Sequence, residues 1–183
     1  MADCKIQEKT NNKERLFKAR EKGKDILLNS MEKLVLVSGA IVFKKGRGKS
    51  RWLITKQAEG EGWEIPKVVV RKGESSVRAS LRMMGEQGGM TTQVLEEAGR
   101  AGGVTTINGK ALPQRYLYYL MVLLAPPGEA IGFAEHKWFE YAKAVRKLSS
   151  KREQTMLRQA RKEYRVWKKN MELEKKQNKL EQG

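Results

Sequence analysis

Two runs of apolar residues constrain the fold before anything else does. Leu34–Phe43 reads LVLVSGAIVF and Arg115–Ala125 reads RYLYYLMVLLA. Both are rich in β-branched or aromatic residues and nearly continuous, the pattern of a strand buried in a sheet. Arg51–Lys56 (RWLITK) follows a two-glycine turn, Lys44–Ser50 (KKGRGKS), and reads as a return strand. Between this hairpin and the second apolar run lies the stretch that organises the chain, Gly62–Gly99.

That stretch begins with Trp63-Glu64-Ile65-Pro66-Lys67, where the proline marks a turn rather than a central strand. Val68–Val70 is extended, and Arg71-Lys72-Gly73-Glu74 turns into a helix that Ser75 or Ser76 can cap. Val77, Leu81 and Met84 share one helical face; Gly85, Gly88 and Gly89 interrupt it. The spacing of Met90, Val94 and Ala98 predicts a second helical segment over Met90–Ala98, with Gly99 as its stop. Adjacent carboxylates on such a helix, Glu96 and Glu97, fed by a loop carrying Lys67 and Arg71, suggest a divalent cation holding a phosphate.

The remainder is read more coarsely. Arg100–Pro113 is expected as a loop, with Asn108-Gly109 as its turn. Glu135–Phe139 is a short strand or turn. Tyr141 to about Lys179 is expected as one helix, with Met156, Ala160, Tyr164, Trp167 and Met171 forming an apolar stripe on a basic rod. A shorter helix is expected from about Lys13 to Asn29. Gly48-Lys49-Ser50 is not a phosphate loop, because Phe43 stands where the first glycine belongs and a strand follows instead of a helix.

Charge separates the chain into regions. The net charge is +17, which points to polyanionic partners. Residues 143–183 carry +9 of it, whereas residues 71–142 carry only +1. Catalysis and attraction of polyanions can therefore belong to different parts of the molecule. We divide the chain into an extension (1–30), an α/β domain (31–148) and a basic helix (149–183). The single cysteine, Cys4, excludes an intrachain disulfide framework. With no visible signal peptide and no apolar run of membrane-spanning length, the expectation is a cytoplasmic protein with no membrane partner.

The order Gly39-Ala40-Ile41-Val42-Phe43, Trp63-Glu64-Ile65-Pro66-Lys67, Gly73-Glu74, Glu96-Glu97-Ala98-Gly99 and Glu135-His136-Lys137-Trp138-Phe139 resembles the Nudix hydrolases. Within them it is most similar to the diadenosine-tetraphosphate and diphosphoinositol-phosphate hydrolase branches. The resemblance spans roughly residues 34–160. It implies an α/β/α sandwich around a mixed sheet, here with an N-terminal helical extension and a long basic C-terminal helix. It also implies Mg²⁺ or Mn²⁺ held by helix glutamates, a nucleotide or nucleoside-polyphosphate ligand, and water attack at phosphorus.

The signature box fits in two registers, neither intact, and Val68 replaces its first glycine in both. Counting from Glu74 gives Arg82, then Met83 in place of a glutamate, then Glu86, Gln87 and Gly89. Counting from the other end matches Glu96-Glu97-Ala98-Gly99 residue for residue, puts Thr92-Gln93 in place of Arg-Glu, and inserts about ten residues after Glu74. Ligands at i, i+3 and i+4 share a helix face. The second register is preferred because it supplies two carboxylates, Glu96 and Glu97, which are its metal ligands and catalytic residues. The first leaves Glu86.

In the resemblance, Lys67 and Arg71 face phosphates, Glu74 and Arg82 support the box helix, and Glu135 stands where some relatives place an extra metal carboxylate. Each is equally readable as surface charge. Trp63 and Tyr118 are candidates for stacking on a base, with core packing the stronger reading. On the tail, Arg158, Arg161, Lys162, Arg165, Lys168 and Lys169 form a rod that can neutralise RNA phosphates, unless its stripe packs on the domain. Two functions follow. One is a slow, metal-dependent Nudix-type hydrolase of a nucleoside diphosphate linkage. The other is an inactive Nudix-fold module that binds RNA or a ribonucleoprotein.

Overall fold

The computed structural model describes residues 34–46, 48–56, 62–125 and 128–181. The helix expected at Lys13–Asn29 lies outside the described residues.

Strand β1 (Val35–Lys44) is the axis of a six-stranded mixed sheet. It runs parallel to β5 (Lys110–Leu123), in register from Val35↔Gln114 to Phe43↔Val122. On its other side it pairs antiparallel with β2 (Arg51–Lys56) near its end and with the short β3 (Lys67–Val69) near its start. β2 continues to β6 (Glu135–Glu140), and β5 pairs with β4 (Thr92–Ile107) at the opposite edge. Helix α1 (Ser76–Glu86) packs on one face; α2 (Tyr141–Lys147) and α3 (Lys151–Glu181) pack on the other.

Strand alternation assigns each side chain to a face. Val37, Ile41 and Phe43 of β1, Trp52 and Ile54 of β2, and Tyr118, Leu120 and Val122 of β5 meet α3 through Met156, Leu157 and Ala160. Ala40, Val42, Leu53, Tyr119 and Met121 point the opposite way, against Met83 and Met84 of α1. Both faces being covered explains why β1 and β5 read as unbroken apolar runs.

Two expectations are corrected. Met90–Ala98 is not a helix and Arg100–Pro113 is not a loop, since β4 begins at Thr92 and runs to Ile107, and β5 starts at Lys110 after a two-residue turn. Spacings of four suit a strand as well as a helix, and the β4–β5 register carries two irregularities, between Val94 and Glu96 and between Glu97 and Gly99. They break the two-residue period, so that Val94 joins the α1-side core while Leu95 and Ala98 join the α3-side core. The turn at Asn108-Gly109 is where the sequence puts it, with both residues at positive φ. Second, the expected Tyr141–Lys179 helix is broken at Leu148-Ser149-Ser150 into α2 and α3.

One glycine is required by close approach. Gly39 sits opposite Tyr118 in the parallel ladder, and a Cβ there would lie 2.5 Å from the Tyr118 ring. Tyr118 is fully buried and stacked on Tyr116, so the ring has nowhere to go. Gly39→Ala is expected to destabilise the fold by about 1–3 kcal/mol, read as a lowered midpoint in denaturant unfolding.

Candidate functional site

The loop and helix of the first register, Trp63–Gly89, form a continuous unit on the sheet. Ser75 caps α1, its side chain accepting from the Arg78 N–H. Arg82, one helical turn from the end, turns back to Glu74, its Nε 2.8 Å from Oε1 and its Nη2 3.0 Å from Oε2. Glu74 also accepts the Arg71 backbone N–H at 3.1 Å. The brace locks loop to helix, and these bonds, Arg82 first, hold the Glu74 carboxyl down at about 2. At its far end α1 closes on Gly89, at φ 58°, and on a neighbouring loop. Gly128 donates to the Gly89 carbonyl at 2.8 Å, and Gly132 to that of Gln87 at 2.9 Å.

The ligand positions of this helix are poor in oxygen. Met83 is fully buried among Ala40, Val42, Leu53, Tyr119 and Met121. Glu86 is exposed, 3.5 Å from Arg82 Nη1 and 4.0 Å from Arg71 Nη2. Gln87 is the helix cap and offers an amide. Mg²⁺ and Mn²⁺ prefer hard, charged oxygen donors, and a thioether in the core with one carboxylate already beside two guanidinium groups does not fit them. Among the described residues no three His, Cys, Asp or Glu side chains come together as a metal-holding group.

The second register loses the geometry on which it rested. Glu96 and Glu97 lie on strand β4, so no helix face brings them together with Gln93. Glu96 is exposed, while Glu97 accepts from Arg100 at 2.6 Å and 3.0 Å, which lowers its carboxyl below the usual range. Glu135 is bound by Lys137 and by Lys56, the latter at 3.0 Å, and is lowered by both.

Lys67 and Arg71 are not brought to one place. Arg71 stays exposed at the turn, whereas Lys67 points inward to Glu64 and to Glu153 of α3, 3.0 Å away. Burial alone would lower the Lys67 ammonium, but Glu153 and Glu64 outweigh it and raise it above its ordinary value. Glu153 is 1 % exposed and also accepts the Ile65 N–H at 2.9 Å. Sequence reasoning missed this residue. Its signal was a glutamate three residues before Met156 on the apolar stripe of a helix, a place where an unpaired charge is not tolerated.

Of the aromatic candidates, Tyr118 belongs to the core, and Trp63 packs edge-on to Phe139 with Lys56 and Lys137 over its ring. On α3 the stripe packs on the domain. Tyr164 and Trp167 lie against Phe43 at ring distances of 4.8 and 5.5 Å. Arg161 is drawn onto the Tyr141 ring, 4.5 Å away, while Arg158, Lys162, Arg165, Lys168 and Lys169 are exposed. No helix among the described residues is long and apolar enough to cross a membrane.

The mixed sheet with helices on both faces is the Nudix fold, as the likeness to solved structures shows. The chain is similar to a C. elegans Ap4A hydrolase in a binary complex, at 23 % identity over 68 % of this chain and 93 % of that one, with a TM-score of 0.57. It is also similar to the Nudix domain of Shewanella oneidensis NrtR complexed with ADP-ribose (15 %, 70 % and 87 %, TM-score 0.58). A third neighbour is the E. coli dihydroneopterin triphosphate pyrophosphohydrolase (12 %, 68 % and 92 %, TM-score 0.57). No protein-family model and no curated protein matches the sequence.

The Glu74 brace has a pH signature. An unfolded carboxyl titrates near 4.5 and the folded one near 2, so its stabilisation is complete above about pH 4.5 and is lost as pH falls toward 2. Thermal melts from pH 6 to pH 2.5 should show Glu74→Gln less stable than the parent at pH 6, with the difference shrinking as the solution is acidified.

Proposed function

We propose that this chain is a Nudix-fold module that binds RNA through the basic surface carried by α3, and not a metal-dependent pyrophosphohydrolase. The observation that carries the reading is Met83. It occupies the box position of a metal carboxylate, yet its side chain is fully buried in the core beneath the helix. A glutamate there would have to bury a charge. With Gln87 as an amide, Glu86 is the one charged oxygen ligand left on the box helix. What the box retains, the Glu74–Arg82 brace, holds the helix to its loop and does not require chemistry.

The positive charge points elsewhere. Exposed Lys and Arg on α3 follow one another from Lys151 to Lys176, and the acidic Glu153 is turned into the core and removed from the surface. A helix of 31 residues spans ~46 Å, enough to lie along several phosphates of a strand.

Two assays test the reading. Ap4A and ADP-ribose incubated with the protein in Mg²⁺ or Mn²⁺ should show no cleavage above the metal-only blank. Fluorescence anisotropy with a short RNA should show binding whose log affinity falls with log salt, by about 0.7 per phosphate neutralised. Cleavage that Glu86→Gln abolishes, or RNA affinity indifferent to salt, would overturn the proposal.

A further inference from the structure

Trp167 borders two clefts on the α3 face of the sheet, opposite the box helix. One cleft, of about 650 Å³, lies between α3 and the ends of β1 and β5 and includes Lys44, Leu124 and Met171. The other, of about 320 Å³, lies between α3 and the β1–β2 turn and includes Ser50, Lys168 and Lys175. Lys45 borders both, its ammonium 5.0 Å from the centre of the Trp167 ring.

Four features of this place are those of a stacking site. Trp167 is fixed from behind, against Phe43 at 5.5 Å and Tyr164 at 6.1 Å, so it is a preformed platform. Tyr164 is itself held by a 2.5 Å hydrogen bond to Ser50, which anchors the turn to the helix. The larger cleft beside the platform is lined in part by apolar side chains, among them Leu124, 59 % exposed. Lys45, Lys168 and Lys175 border the platform, with Glu172 the acidic member, 3.8 Å from Lys168. The β1–β2 turn and α3, 120 residues apart in sequence, thus bring their charges together around one aromatic ring.

We infer that this double cleft binds single-stranded nucleic acid, one base stacking on Trp167 and the flanking phosphates pairing with Lys45, Lys168 and Lys175. The inference rests on the RNA-binding reading and locates it. Aromatic platforms inside a cationic groove accept any base, because every base has a π-face, and the lysines follow the backbone. Lys45 now covers the ring, where it substitutes for a base, and its exposed, flexible stem lets it swing to a phosphate. Such a site is tolerant of sequence and salt-dependent.

The test uses the full chain with fluorescein-labelled U12 and dT12 and with heparin, a polyanion that has no bases. Trp167→Leu, checked by its melting temperature, should weaken both oligonucleotides roughly 5- to 150-fold and leave heparin unchanged. Lys45→Ala/Lys168→Ala should lower the salt slope for the oligonucleotides by about 1.4, two single-strand contacts. Lys162→Ala/Arg165→Ala, elsewhere on α3, should change the slope less. If Trp167→Leu unfolds, photocrosslinking of 4-thiouridine-substituted U12 to the unaltered protein decides the matter, with adducts expected on Trp167 or its neighbours. Equal loss of heparin and oligonucleotide in Trp167→Leu, or crosslinks confined to other surfaces, would overturn this site while leaving RNA binding intact. Absence of any oligonucleotide binding would overturn the RNA reading itself.

Discussion

Glu153 carries a carboxylate into the interior at the point where α3 crosses the Trp63–Lys67 loop, and there it meets the Ile65 N–H and the Lys67 ammonium. Neither partner is dispensable, because a charge left unpaired in such a place costs about 3–5 kcal/mol. Lys67 in turn is shared with Glu64, so the loop, its proline turn and the first full turn of α3 are fixed as one piece. The rest of α3 follows from that anchor. Met156, Leu157 and Ala160 seal the sheet, Tyr164 and Trp167 continue over Phe43 and Trp52, and the basic side chains are left on the outside.

The two faces of the sheet have therefore diverged in chemistry. On the α1 face, the loop–helix retains the mechanical parts of a Nudix box, a capped helix and a carboxylate–guanidinium brace. Counted from Glu74, two of the positions where the box asks for metal carboxylates hold Met83 and Gln87, one in the core and the other closing the helix against Gly132. On the α3 face, a helix that the core needs for closure also carries the densest positive charge of the chain. Exposed charge costs little on a helix whose other side is held by packing.

Much of the fold was legible in the sequence. The apolar runs of β1 and β5, the basic turn before β2, the Ser75 cap and the Asn108-Gly109 turn are local signals that the tertiary structure agrees with. The stripe on α3 was legible too, although the sequence left open whether it packs on the domain. Strand β4 was not, because Met90, Val94 and Ala98 recur at a spacing that suits helix and strand alike, and the hydrogen bonds that make it a strand come from β5. The preference for Glu96 and Glu97 over the box counted from Glu74 rested on that expected helix. Lys67 was read as a phosphate ligand for a related reason. Its partner Glu153 lies 86 residues away, and no local pattern joins them.

On the reading proposed above, the box helix offers too few charged oxygens to hold a divalent cation. This is tested most directly by Mn²⁺ electron paramagnetic resonance, titrating the protein with and without a nonhydrolysable ADP-ribose analogue. In both series the free Mn²⁺ signal is expected to match that of the protein-free control up to an equimolar addition, since the analogue's own phosphates bind some of the ion. A stoichiometric loss of that signal, reversed by Glu86→Gln, would contradict it.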